Sequence, residues 1–231
     1  MTSIAANLQA VRARIAAACV AAQRAPGSVE LLAVSKTWPA DSVRAAVAAG
    51  QRAFGENYVQ EAVDKTRELD SLGLEWHFIG PLQSNKTRPV AEHFAWVHSV
   101  DRLKIAERLA AQRPPQLPPL QVCIQVNVSA EASKSGCAPE QAADLAAAVA
   151  ALPGLRLRGL MAIPEPTEDA ARQRRQFALL RQTLERINAA RDCELDTLSM
   201  GMTDDLEAAI MEGATMVRIG TAIFGRREYT T

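Results

Sequence analysis

Short apolar runs, each closed by turn residues, alternate with helical segments along nearly the whole chain, and this alternation limits the fold more than any other feature. The first run, Leu31-Leu32-Ala33-Val34, is apolar at every position and stops at Ser35-Lys36-Thr37. Such a run suits a strand buried on both faces, as in a parallel sheet covered by helices. Further strand-like runs lie at 52–57, 75–80, 96–100, 120–128, 155–163, 195–200 and 215–220. The spacing of apolar residues predicts helices between them over 59–69, 102–112, 139–151, 170–190 and 204–212. Pro39, at home in a first helical turn, and Gly50, at home just past a last one, bracket another helix with Val43 and Val47 on one face.

These runs amount to eight strands in 231 residues, and a β/α barrel typically takes about 250 residues, sometimes as few as about 200. A doubly wound open sheet is the alternative. It calls for a glycine-rich turn after the first strand, where Ser35-Lys36-Thr37-Trp38 stands instead. The expected fold is α/β, a single (β/α)8 TIM barrel spanning residues 1–231. An extra amino-terminal helix within residues 1–25 has Thr2 or Ser3 as its cap. It repeats Ile4, Leu8, Val11, Ile15 and Ala18 at helical spacing, ends at Pro26-Gly27 and is expected to pack on the barrel. The proline-rich segment 113–119 reads as a helix-to-strand connection, because the alternation resumes beyond it.

Charge narrows the partners. Lys plus Arg is 26 and Asp plus Glu is 26, so there is no electrostatic footprint for nucleic acid or for a membrane surface. Cys19, Cys123, Cys137 and Cys193 form no CxxC pair, which reads as reduced thiols in a cytoplasmic protein with no disulfide frame or zinc site. Residues 15–22 imitate a signal-peptide core, but they are mostly alanine and continue a helix that already holds Arg12 and Arg14. No run reads as long enough to span a membrane.

The active site of such a barrel lies at the carboxyl ends of its strands. Those ends present Lys36, Glu56-Asn57, Gly80, Asn127, Met161, 199–202 and 218–221. A lysine ending a buried strand points into the barrel mouth, where desolvation favours its neutral amine and the amine can condense with a carbonyl. A loop lysine reaching solvent is the plain alternative. Ser199-Met200-Gly201-Met202-Thr203 ends one strand and opens a helix, with Gly201 allowing close approach to a ligand and Thr203 available as a cap. Gly220-Thr221 ends the next strand, and the loops after strands seven and eight are a recurrent phosphate site. A ligand carrying both phosphate and carbonyl is implied, which describes pyridoxal 5'-phosphate (PLP) and also many sugar phosphates. Arg218 alternates to the same side as Gly220 and needs a partner there. The pyridine nitrogen of PLP and a carboxylate such as Glu56 serve equally well on spacing alone.

Five segments resemble the YggS/PROSC family of PLP homeostasis proteins. They are Leu32-Ala33-Val34-Ser35-Lys36-Thr37, Phe54-Gly55-Glu56-Asn57-Tyr58-Val59-Gln60-Glu61, and Trp76-His77-Phe78-Ile79-Gly80-Pro81-Leu82-Gln83-Ser84-Asn85-Lys86. The others are Leu198-Ser199-Met200-Gly201-Met202 with Asp205, and Val217-Arg218-Ile219-Gly220-Thr221-Ala222-Ile223-Phe224-Gly225. The resemblance runs in order over nearly the whole chain. It implies a PLP fold-type III barrel related to the amino-terminal domain of alanine racemase, with PLP as a Schiff base on Lys36. It further implies Asn57 beside the cofactor, Ser199, Met200, Gly201, Met202, Gly220 and Thr221 around the phosphate, and Arg218 facing the pyridine nitrogen. Thr203 stands where many relatives are expected to have serine, and the hydroxyl is kept.

Two functions then compete: a protein that buffers or delivers PLP, and a racemase of the alanine racemase type. A racemase needs an acid-base group on each face of the substrate carbon. Lys36 offers one, and the only tyrosines to offer the other are Tyr58 and Tyr229. Arg218 against the ring nitrogen discourages its protonation and makes the ring a poorer electron sink. The expectation is a cytoplasmic, monomeric PLP carrier with at most weak racemase-like activity and with apo PLP-dependent enzymes as possible recipients. His77 is either a donor behind the ligand or a satisfied core histidine. His93 and His98 lack metal-ligand spacing. Lys86 and Lys134 meet free PLP at entry or exit, or are solvated loop charges. Arg172, Arg174 and Arg175 read as the wet face of a helix.

Overall fold

The computed structural model describes residues 3–129, 135–191 and 194–225. Eight strands close into a parallel barrel in chain order: β1 (Glu30–Val34), β2 (Ala53–Glu56), β3 (Glu75–Phe78), β4 (Trp96–Val100), β5 (Leu120–Gln125), β6 (Leu155–Met161), β7 (Thr197–Ser199) and β8 (Met216–Ile219). The last strand pairs with the first, Leu32 opposite Arg218 and Ala33 opposite Ile219. The expected barrel is therefore present, though most strands are shorter than their apolar runs.

Alternation along each strand divides the buried side chains in two. Leu32, Val34, Ala53, Ile79 and Met216 cluster inside the barrel, and Trp96, Cys123 and Met161 form a second inner cluster. Ala33, Phe54, Phe78, Val122, Leu198, Val217 and Ile219 face outward into the larger core shared with the helices. Those helices are α1 (Ile4–Ala21), α2 (Ala40–Ala48), α3 (Val59–Glu68), α4 (Thr87–His93), α5 (Leu103–Gln112), α6 (Ala142–Ala150), α7 (Ala170–Arg191), α8 (Leu206–Met211) and α9 (Thr221–Phe224). The sequence pattern did not reveal α4: seven residues with Pro89 in the first turn show too little periodicity. The 113–119 segment does connect a helix to a strand, and Arg113 fastens it by donating to the carbonyls of Ala91, Phe94 and Pro118.

Ser3 caps α1, its Oγ accepting from the Ala6 amide at 3.2 Å. The face formed by Leu8, Val11, Ile15, Ala18 and Cys19 is buried, and Asn7 donates to the Ile223 carbonyl of α9 at 2.8 Å. The expectation that no run reaches membrane-spanning length needs correcting, since α1 has 18 residues and enough apolar character. Its buried stripe packs against α2, α8 and α9, which is how its apolar residues are used.

Candidate functional site

Lys36 follows β1 by two residues, half-buried in the turn that leaves the barrel just past Leu32 and Val34, which face its interior. Its backbone is clamped from behind the strand. The ammonium of Lys65 on α3 donates to the Ser35 carbonyl at 2.9 Å, to Glu56 Oε1 at 2.6 Å and to Glu61 Oε1 at 3.0 Å. Glu61 Oε1 also accepts from the Thr37 amide, and the Ser35 hydroxyl donates to Glu56 Oε1 at 2.7 Å. The carbonyl before Lys36 and the amide after it thus belong to one cluster, which holds Thr37 at a left-handed φ of 65°. Burial pushes the Glu56 carboxyl up, against the pull of Lys65. The sequence pattern missed Lys65, whose only signal was a lysine three residues after Ala62 on the buried face.

Arg218 is buried and does not pair with Glu56, which faces outward to Lys65, so Glu56 is overturned as its partner. One guanidinium nitrogen donates to Ser199 Oγ and the other terminal nitrogen to the Ala162 carbonyl, each at 2.9 Å. Its other N–H donors have no acceptor among the described residues. Burial lowers its pKa to about 10, with Asp205 acting in the opposite sense. Beneath Arg218 the hydrogen bonds continue: Ser199 Oγ to His98 Nδ1 at 2.8 Å, His98 Nε2 to His77 Nδ1 at 2.9 Å, and His77 Nε2 to Glu75 Oε1 at 2.8 Å. His77 is therefore a satisfied core histidine. The link from His98 to Ser199 was invisible in a sequence where the two lie 101 positions apart.

The ends of β7 and β8 adjoin, the Arg218 amide donating to the Gly201 carbonyl at 2.9 Å. Gly201 has φ +94°, and a Cβ there would lie 2.6 Å from the Ala209 Cβ. Met202 donates its amide to Asp205, and Asp205, not Thr203, stands at the helix cap. Met200 lies deeper than the mouth: its side chain is in the outer core and its amide donates to the Met216 carbonyl. Ser199 likewise is fully buried with its hydroxyl engaged below Arg218. Gly220 lies against β1, since a Cβ on it would come 3.2 Å from the Val34 carbonyl oxygen. Exposed Thr221 opens α9, whose first N–H groups lack intrahelical acceptors.

Asn57 directly follows β2, with its Oδ1 buried and unpartnered. Gly80 packs so closely on the Asn57 backbone that a Cβ would lie 2.3 Å from its carbonyl oxygen. Around one mouth stand an amine, an orphaned amide oxygen, a guanidinium with unused donors and a glycine cradle. That donor set fits a phosphorylated aromatic aldehyde. Other calls fall elsewhere: Lys86 is exposed in a turn, Tyr58 is 53% exposed, and Lys134, Cys193 and Tyr229 lie outside the described residues. Arg172, Arg174 and Arg175 are exposed on α7 and pair with Glu165, Glu212 and Asp169.

Residues 4–228 match the family model for the alanine racemase N-terminal domain. The pyridoxal phosphate homeostasis protein of Pseudomonas aeruginosa is 67% identical over 229 residues, covering 99% of this chain and 98% of that one. Its counterpart in Escherichia coli K12 is 58% identical over 236 residues, covering 100% and 99%. Among solved structures, PipY of Synechococcus elongatus PCC7942 with PLP bound superposes with a TM-score of 0.84 at 38% identity, covering 96% of this chain and all of that one. Alanine racemase from Corynebacterium glutamicum, at 18% identity and a TM-score of 0.67, shares the fold over 62% of its length.

Proposed function

Because this chain belongs to the family of pyridoxal phosphate homeostasis proteins, built on the alanine racemase N-terminal domain, we propose that it binds PLP through Lys36 and holds the cofactor for transfer. The observation that carries this is Arg218: a buried guanidinium with unused donors, on the strand paired to β1, which leads into Lys36. When bound, PLP supplies an aldehyde for covalent attachment and a ring that can accept electrons. Lys36 supplies the amine, and the Lys65 cluster fixes the backbone on both sides of it. Asn57 would stand beside the ring, and Arg218 would present N–H donors to the ring nitrogen. Gly201, Met202, Gly220 and Thr221 would hold the phosphate, aided by the helix starts. Ser199 and Met200 support them from below.

A guanidinium facing the ring nitrogen keeps that nitrogen unprotonated and disfavours carbanion chemistry. Tyr58, the described tyrosine nearest the mouth in sequence, is 53% exposed and poorly placed to hold a proton above a substrate. The reading is therefore a PLP reserve without efficient amino-acid turnover, monomeric and cytoplasmic, that supplies apo PLP-dependent enzymes. The shared racemase fold favours amino-acid racemisation as the second reading. Borohydride reduction of the PLP-loaded protein followed by peptide mapping should place the pyridoxyl group on Lys36; most of it on Lys86 or Lys134 overturns the site. Incubation with L- and D-alanine in deuterated water should leave the Cα–H in place. Fast exchange with racemisation would establish the second reading.

A further inference from the structure

Lys36 stands second in a four-residue turn, which the Trp38 amide closes by donating to the Ser35 carbonyl at 3.1 Å. Thr37, third in the turn, takes φ +65°. That place favours glycine or asparagine, because a side chain at positive φ crowds the backbone. A β-branched threonine there is strained, and such strain persists only where the surroundings hold it. It gathers at sites where a structure aims a working group.

The two sides of Lys36 are held differently. Ser35, before it, is fully buried: its amide donates to the Gly55 carbonyl at 3.0 Å, its hydroxyl to Glu56, and its carbonyl accepts from Lys65 as well as from Trp38. Thr37, after it, is exposed, and its amide donates to Glu61 Oε1. Glu61 sits in the first turn of α3, and Lys65, four residues on, donates to the same oxygen. Glu before Lys at that spacing is the favourable order on a helix, and the pair keeps the carboxylate aimed at the turn. Beyond Thr37, Trp38 is anchored by stacking on Phe224 of α9, ring centroids 5.9 Å apart. Glu61 is the hold that acts on the strained residue itself.

Capture of an aldehyde at Lys36 joins Nζ to the carbonyl carbon by a double bond, and the carbonyl oxygen leaves as water with the two amine protons. The step needs the amine at the right distance and angle, and a small misplacement is costly. The glycines assigned to the phosphate lie elsewhere, just past β7 and β8, and their hold on a phosphorylated ring does not require that bond. Resting on the reading that PLP occupies the mouth, we propose that Glu61 is a positioning residue for the covalent step alone. It holds Thr37, and through it the Lys36 amine, in the capturing geometry, while the hold on ring and phosphate is independent of it. Retention of the cofactor then has two separable parts, and the covalent one is governed by a side chain that is 33% exposed.

The test compares PLP with pyridoxine 5'-phosphate, which keeps the ring and the phosphate but carries an alcohol in place of the aldehyde. Glu61→Ala should lower the affinity for PLP about tenfold, the worth of one hydrogen bond to a charged group. The rate at which imine absorbance appears should fall with it. Affinity for pyridoxine 5'-phosphate should stay within about twofold of wild type. Glu61→Gln keeps an acceptor for the Thr37 amide and should restore PLP affinity and rate. In the ligand-free protein, hydrogen exchange of the Thr37 amide should be faster in Glu61→Ala and slow again in Glu61→Gln. Equal losses for the two ligands would make Glu61 a support of the whole mouth and overturn the proposal, as would PLP capture that Glu61→Ala leaves unchanged. If the wild-type protein takes up neither ligand, the cofactor reading itself fails and carries the proposal with it, an outcome distinct from wild-type binding that the substitution does not alter.

Discussion

The ammonium of Lys65 donates to the carbonyl oxygen of Ser35, one residue before Lys36, while closing a buried ion pair with Glu56. Lys65→Met should cost about 3–5 kcal/mol, the range for removing one partner of a buried pair. The cost should also depend on pH. Burial already holds the Glu56 carboxyl above its ordinary value of 4.5, and Lys65 is the main force pulling it back. Without Lys65 the folded value rises further. A raised folded value gives stability that is complete at low pH and lost as pH rises through it. Urea unfolding should show a larger deficit at pH 8 than at pH 5; an equal deficit at both sinks the account.

Arg218→Met should separate stability from binding. The guanidinium is buried without a carboxylate bonded to it, so its desolvation is poorly offset in the ligand-free protein. An apolar side chain of similar length should leave the ligand-free unfolding midpoint unchanged or higher. PLP affinity should fall about tenfold or more. A large loss of ligand-free stability would mark Arg218 as structural.

Gly201→Ala forces an alanine to φ +94° and puts its Cβ 2.6 Å from that of Ala209. The backbone strain alone is worth about 1–3 kcal/mol. Chemical denaturation should show at least that loss, together with weaker binding of PLP than of pyridoxal relative to wild type. Wild-type stability would mean that α8 shifts freely.

Burial pushes the thiol of Cys123 up to about 12 and that of Cys137 up to about 11. Thiolate is the reactive form, so a thiol-specific reagent at pH 8 should leave both unmodified until the protein is unfolded. Mass spectrometry of the two peptides reads this directly, and native-state labelling of either would contradict the burial.

Sequence reasoning reached the barrel because strands buried on both faces stay apolar over their whole length, as Leu31 to Val34 do. It singled out Lys36 and Gly201 because strand ends carry the chemistry of this architecture. Lys65 and His98 stayed hidden for a different reason: one is a charge on an amphipathic helix, the other a polar residue inside a strand, and neither pattern says which distant group will meet it. Thr203 looked like the cap because its hydroxyl stood near the expected helix start, yet α8 begins later, after Asp205. The carboxylate partner suggested for Arg218 failed on parity, since Glu56 alternates away from the barrel interior.

Leu32 pairs with Arg218 across the seam that closes the barrel. Lys36, just beyond β1, is therefore made long before Arg218 on β8. A nascent chain emerging from the ribosome displays Lys36 long before the strand that faces it exists, and seam contacts of such sequence separation are the slow ones to form. A growing polypeptide thus has no finished mouth in which to capture a reactive aldehyde. Under the proposed role, capture of the cofactor therefore waits until β8 has paired with β1.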